Sequence, residues 1–152
     1  MKTTSFSVLM AIMETSSTTQ QRNTATVQDI YACFGQGDIP GILARLADNI
    51  EWWHAGDPSI VSYAGTFRGK DGVVQFFQKL GADVEFTGFE TFNYRANGNE
   101  VVCDGKVSCI ARSTGRAYSV LPVFTWTFDE QGKAYHLRAD GDMSAAEAAF
   151  SA

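Results

Sequence analysis

The spacing of apolar residues along this chain changes period, and each change marks an element. Val27, Ile30, Tyr31 and Phe34 recur at helical spacing, and Gly35 and Gly37 stop the run, which predicts a helix over 26–35. Asp38 then caps a second helix that carries Pro40 in its first turn. Ile39, Ile42, Leu43 and Leu46 form the buried stripe of that helix, and Asp48-Asn49 closes it. Residues 50–54 read as a strand, with Trp52 and His54 on one face. Residues 55–68 hold Gly56, Pro58 and Gly65 and predict an irregular loop over the mouth of a pocket. Val73, Val74, Phe76, Phe77 and Leu80 restore the helical period from about Lys70 until Gly81.

The rest of the chain reads as strand. Residues 84–95 and 100–111 flank Asn97-Gly98, a hairpin signal. Ser113-Thr114-Gly115 turns the chain into a third long strand over 117–128. The run Asp129-Glu130-Gln131-Gly132 turns it again into 133–142, and an Ala-rich tail follows over 144–152, helical over 144–150. At the other end, Lys2 and a short apolar run over 6–13 precede a polar stretch over 15–23 that reads as a linker. The apolar run is shorter than a membrane span and has no small-residue cleavage site. The expected organisation is a flexible leader or short packing helix over 1–25, one domain over 26–143 and a tail. A cytoplasmic protein without membrane association is expected.

Helices followed by a strand meander imply an α+β fold. The expected form is a cone, a strongly bent antiparallel or mixed sheet wrapped around about three N-terminal helices. Val120, Phe124, Trp126 and Phe128 share one face of the third long strand; Leu121, Val123, Thr125 and Thr127 share the other. Apolar residues on both faces call for a second cover, most simply another copy of the chain, so a homodimer through the outer sheet face is expected.

Composition adds limits. The 11 Phe, 5 Tyr and 3 Trp are enough for both a core and an apolar pocket. A net charge of −5 with scattered Lys and Arg argues against nucleic-acid binding. Cys103 and Cys109 lie on one strand about 20 Å apart, too far to bridge. The two histidines, His54 and His136, have no neighbouring ligands at metal-site spacing, and Gly35, Gly37 and Gly41 do not make a dinucleotide fingerprint. Neither metal nor cofactor is expected.

Among groups that carry chemistry, His54 is the sharpest, because an imidazole titrates near neutrality and suits proton transfer. Trp52, Phe77, Phe124 and Trp126 either line a cavity or fill the core. Tyr31 and Tyr63 have hydroxyls to offer a ligand carbonyl. Asp140 and Asp142 share strand parity with His136 and Arg138, opposite to Leu137 and Ala139. If Leu137 faces the pocket the two acids face out, unless a bulge at Gly141 redirects one; an ion pair with Arg138 is the alternative.

The ordered set resembles a known group over about residues 26–143. It comprises two helices with Gly37-Asp38 between them, a strand with Trp52 and His54, Phe67-Arg68-Gly69-Lys70-Asp71-Gly72-Val73 with Phe76-Phe77, and then the meander. It is similar to the nuclear transport factor 2-like superfamily, in its SnoaL-like, ketosteroid isomerase-related branch, whose cystatin-like α+β fold is the cone. Counted from Gly37-Asp38, the resemblance implies that His54 stands where ketosteroid isomerases carry an Asp base. Their oxyanion-hole Tyr falls at Ile30, beside Tyr31, and their second oxyanion-hole acid at Phe124, so the steroid isomerase route does not carry over. The cyclase Asp falls near Ala139 or Asp140, and Asp142 keeps the final acid of a strand-end pattern common among relatives. The implied function is a cofactor-independent enzyme, an isomerase, cyclase or dehydratase, that moves a proton on an apolar or aromatic carbonyl-bearing molecule with His54 and Asp142. The alternatives are a non-catalytic binding or dimerisation module and, more weakly, a hydrolase whose water is held by Asp57, Asp140 or Asp142.

Overall fold

Helix α1 spans Lys2–Gly35 and α2 spans Ile39–Leu43, followed by β1 (Leu46–His54) and β2 (Gly65–Arg68). Helix α3 (Gly69–Asp83) leads into β3 (Val84–Asn97), β4 (Glu100–Ala111), β5 (Ala117–Val120), β6 (Val123–Phe128) and β7 (Ala134–Asp140), and α4 (Ser144–Phe150) closes the order. This computed structural model describes residues 2–151, with side chains from Thr18 onward. One mixed sheet runs in the order β2-β1-β7-β6-β4-β3, with β5 also paired to β4. Only β1 and β7 pair in parallel; the other pairs are antiparallel.

The sheet bends where its registers slip. In the β3–β4 ladder the register shifts between Phe86 and Gly88 and again between Phe92 and Arg95, where Asn93 adopts φ 57°. Each extra residue sharpens the local twist. The concave face closes over α1 and α3, and the core forms between them. Val27 and Ile30 of α1, Val73 and Phe76 of α3, and Trp52, Val101, Trp126 and Leu137 of the sheet are all buried there.

The expected cone is present, and its details differ in five places. First, α1 reaches back to Lys2, so the stretch over 15–23 read as a linker is helical. Nothing between residues 2 and 34 breaks a helix, since no Gly or Pro occurs there. Thr24 and Thr26 donate their hydroxyls to the carbonyls of Gln20 and Arg22, four residues back, which keeps these side chains compatible with the helix. Second, Leu46 opens β1 instead of continuing α2. The helix is only five residues long, its Asp38 cap accepting from Gly41 N at 3.0 Å.

Third, the loop over 55–68 contains β2, which pairs with β1 from Glu51↔Arg68 to His54↔Gly65. Fourth, the strand expected over 117–128 is two strands broken at Leu121-Pro122. Proline has no N–H to give the ladder, and here its carbonyl accepts from Gly105 N at 2.8 Å. Leu121 therefore belongs to neither face and is 69% exposed. Fifth, the tail is helical over 144–150 as expected, but this helix, α4, packs onto the domain instead of standing apart from it. Ala146 and Ala149 are buried, and Thr114 donates its hydroxyl to the Ala149 carbonyl at 2.6 Å.

Candidate functional site

The concave face of the sheet encloses a cavity of about 80 Å³. Strand parity brings Trp52 and His54 of β1, Phe124 and Trp126 of β6, and Leu137 and Ala139 of β7 onto its wall. Tyr31 and Phe34 enter from α1, Phe76 and Phe77 from α3, and Tyr63 from the loop before β2. The cavity is narrower than the roughly 150 Å³ that holds a benzene ring, so an occupant of ring size displaces wall side chains. The half-buried rings of Phe34, Phe77, Phe86 and Phe89 are the ones with room to move.

His54 is the last residue of β1 and lies between two neighbours, Gly65 of β2 and Ala139 of β7. The next residue extends that hold, because Ala55 N donates to the Ala139 carbonyl at 2.9 Å. Tyr63 stands edge-on to the imidazole with centroids 5.1 Å apart, and Phe76 lies 5.9 Å away. These rings replace water, and the loss of solvation lowers the His54 pKa from its ordinary 6.5, partly offset by the Ala55 carbonyl. That carbonyl lies 2.8 Å from Nδ1. A carbonyl only accepts, so the neutral ring carries its proton on Nδ1 and leaves the Nε2 lone pair open.

The depressed pKa has a consequence for stability. Between the folded pKa and 6.5 an unfolded His54 binds a proton that the folded one does not, so stability rises with pH across that window and falls on acidification below 6.5. A His54→Gln variant is expected to lose part of the drop in denaturant midpoint between pH 7.5 and pH 5.5; equal drops in both proteins would contradict this.

The remaining polar groups of the wall are paired with one another. Trp126 Nε1 donates to Tyr31 Oη at 3.2 Å, and burial holds the Tyr31 pKa well above 10. The hydroxyls of Tyr63 and Tyr118 are 2.8 Å apart, and burial pushes Tyr63 up to about 12. Burial likewise raises the pKa of Cys109, a free thiol on the wall. None of these phenols or thiols ionises at neutral pH, so among the described residues His54 is the titratable group of the wall suited to exchanging a proton there. Trp52 Nε1 is buried with no hydrogen-bond partner, an arrangement that costs about 1–3 kcal/mol.

Asp142 does not join this site. It is exposed, and its carboxylate accepts from Ser144 N at 2.9 Å at the start of α4, which also holds its pKa below the usual carboxylate value. Parity accounts for this: Leu137 and Ala139 face the cavity, so Arg138 and Asp140 face out and form an ion pair at 2.7 Å. Asp57 is likewise exposed and bonded to Ser59. Among the described residues no carboxylate lines the cavity, and no group of His, Cys, Asp and Glu has the arrangement of a metal site. Tyr31, Trp52, Tyr63, Phe77, Phe124 and Trp126 all reach the wall.

Sequence reasoning did not single out Phe34, Phe86, Phe89, Tyr118 and Met143, which also line it. Tyr118 was reachable, since it shares parity with Val120 on the strand before Pro122. Phe86 and Phe89 are three apart, and the bulge at Thr87, unpaired between Phe86 and Gly88, turns both inward.

A family model for the SnoaL-like domain matches residues 27–137. The chain belongs to the SnoaL-like domain family. Among solved structures, this SnoaL-like domain is similar to an NTF2-like protein from Burkholderia xenovorans LB400, at 31% identity and TM-score 0.78, over 86% of this chain and 97% of that one. An NTF2-like protein of unknown function from Burkholderia pseudomallei K96243 matches at 26% identity and TM-score 0.78, over 86% and 98%. A proposed polyketide cyclase from Xanthomonas campestris pv. campestris shares the fold at 18% identity and TM-score 0.69, over 88% and 99%. No curated protein matches the SnoaL-like chain. No helix among its described residues is long and apolar enough to cross a membrane.

Proposed function

We propose that this SnoaL-like domain is a small-molecule enzyme that moves a proton on an apolar, carbonyl-bearing substrate, with His54 as the base. The observation that carries the reading is a neutral imidazole with an open Nε2 on the wall of an otherwise apolar cavity. His54 Nε2 takes a proton from the carbon next to the carbonyl. The C–H electron pair becomes the enolate double bond, and the carbonyl oxygen gains the negative charge. The imidazolium then returns the proton, to another carbon in an isomerisation. A cyclisation or dehydration shares the first step and differs in where the enolate electrons go. Asp142, exposed and bonded to Ser144, has no part in this scheme, and the same geometry removes the support for a water held by carboxylates.

The first step is testable without the physiological substrate. In D₂O the protein is expected to catalyse deuterium uptake at the α-carbon of cyclic and aryl ketones that bind it, read by proton NMR. Ketones that bind in the cavity with uptake no faster than in buffer would leave a binding module as the better description.

We also propose that a second copy covers the outer sheet face. Trp53, Arg138, Thr125 and Val102 are register partners that form one row across that face, with the Arg138 guanidinium 4.3 Å from the Trp53 ring centroid. Light scattering at micromolar concentration is expected to give about twice the chain mass of 16.6 kDa. A monomer mass across the concentration range would overturn this.

A further inference from the structure

Among the described residues, the side-chain nitrogen and oxygen atoms of the cavity wall have hydrogen-bond partners, with two exceptions. Trp126 Nε1 is used by Tyr31, to whose hydroxyl oxygen it donates at 3.2 Å. Tyr63 and Tyr118 use each other, and Tyr118 also meets Cys109. His54 Nδ1 is used by Ala55. The two left over are an acceptor, His54 Nε2, and a donor, Trp52 Nε1. The donor is buried in a residue only 4% exposed and has no partner, an outcome native proteins rarely tolerate without a reason.

Both groups sit on β1, two residues apart on the same face, with Cα atoms about 6.7 Å apart. Trp52 Nε1 is closed off in this structure, so a carbonyl group with its adjacent C–H reaches both groups once an occupant displaces the wall rings, with a hydrogen-bond length of about 2.9 Å at the oxygen end.

We infer that Trp52 recognises the oxygen of the substrate. A neutral, mostly apolar carbonyl compound docks with its oxygen on Trp52 Nε1–H and its acidic C–H toward His54 Nε2. The second half of that statement rests on the proton-transfer reading above; the first stands on binding alone. The indole N–H then faces the oxygen on which charge develops, a role the apolar Ile30 and Phe124 are unable to fill. A phenolate or carboxylate is not the favoured ligand, because no cation lines the cavity among the described residues.

The test uses two ligands of the same shape, cyclohexanone and methylenecyclohexane, titrated into ¹⁵N-labelled protein. Cyclohexanone is expected to bind about fivefold more tightly, the difference one neutral hydrogen bond makes, and to shift one indole N–H signal. That signal is assigned to Trp52 by its absence in Trp52→Phe. The variant keeps the aromatic packing and is expected to lose that preference, methylenecyclohexane then binding at least as tightly because the buried ketone oxygen has no donor. Equal affinities in the wild type, no binding of either ligand, or a preference that survives in Trp52→Phe would each overturn the assignment. If Trp52→Phe fails to fold, the Trp52 signal is assigned by elimination from Trp53→Phe and Trp126→Phe, and its response to cyclohexanone with the wild-type affinities decides. Deuterium uptake measured on the same samples separates the two readings. Preference without uptake retires the proton transfer and leaves Trp52, and uptake without preference retires Trp52 alone.

Discussion

A His54→Gln variant is expected to lose about 10²–10⁴-fold in the rate of deuterium uptake from a bound ketone, the usual contribution of a positioned general base. Glutamine has no basic nitrogen, and its amide is still able to donate toward the Ala55 carbonyl that holds Nδ1 at 2.8 Å. The aromatic walls that hold the ligand are untouched, so affinity is expected to stay within about fivefold, the worth of one ordinary hydrogen bond. The pH dependence follows from the sign of the shift. Burial lowers the His54 pKa, the neutral ring is the active form, and the wild-type rate should climb with pH to a plateau reached below the point where an exposed histidine would finish titrating. A variant with unchanged uptake, or a wild-type rate that is highest in acid, would remove His54 from the mechanism.

Replacing Trp126 by alanine is expected to destabilise the protein by about 3–5 kcal/mol, the range for deleting a large buried aromatic. Trp126 is 1% exposed and sits between Val101 of β4 and Leu137 of β7. It packs edge-on against both Tyr31 and Trp52, with centroids 5.9 and 5.5 Å away. Its loss leaves the Tyr31 hydroxyl without the indole donor and widens a cavity that the surrounding sheet cannot collapse to fill. Against a total stability of about 5–15 kcal/mol, this is a large fraction. Thermal unfolding should show a fall of about 6–20 °C for a domain of this size. A fall under about 2 °C would mean that the ring is not packed as described. Trp126→Phe, which keeps most of the volume, is expected to lose much less.

The parts of the site legible in the sequence are those governed by a fixed period. Two-residue alternation on β1 put Trp52 and His54 on the same face, and the same rule put Leu137 and Ala139 inward and Arg138 and Asp140 outward. Asp142 was chosen for its match to a strand-end pattern in relatives, against that parity, and Ser144 holds it outside. What was illegible depends on interruptions of period. The bulge at Thr87 turns Phe86 and Phe89 to one face, and the glycine beside it marks a bulge without fixing which residue is extra. Gly56, Pro58 and Gly65 hide the four residues of β2, and the β-branched and aromatic richness of 117–128 masks the break at Pro122. The orphaned indole of Trp52 was out of reach for a different reason, because whether a donor has a partner is a fact of three dimensions.

The hold on His54 by Gly65 and Ala139 is made by main-chain pairing, and of its side-chain atoms only Nδ1 is tied, to a main-chain oxygen. Location and chemical identity are thereby uncoupled at residue 54. An exchange of that one amino acid for an aspartate or an amide is expected to leave the main-chain scaffold around it intact, so the identity of residue 54 is free to vary while its place in the hollow is kept.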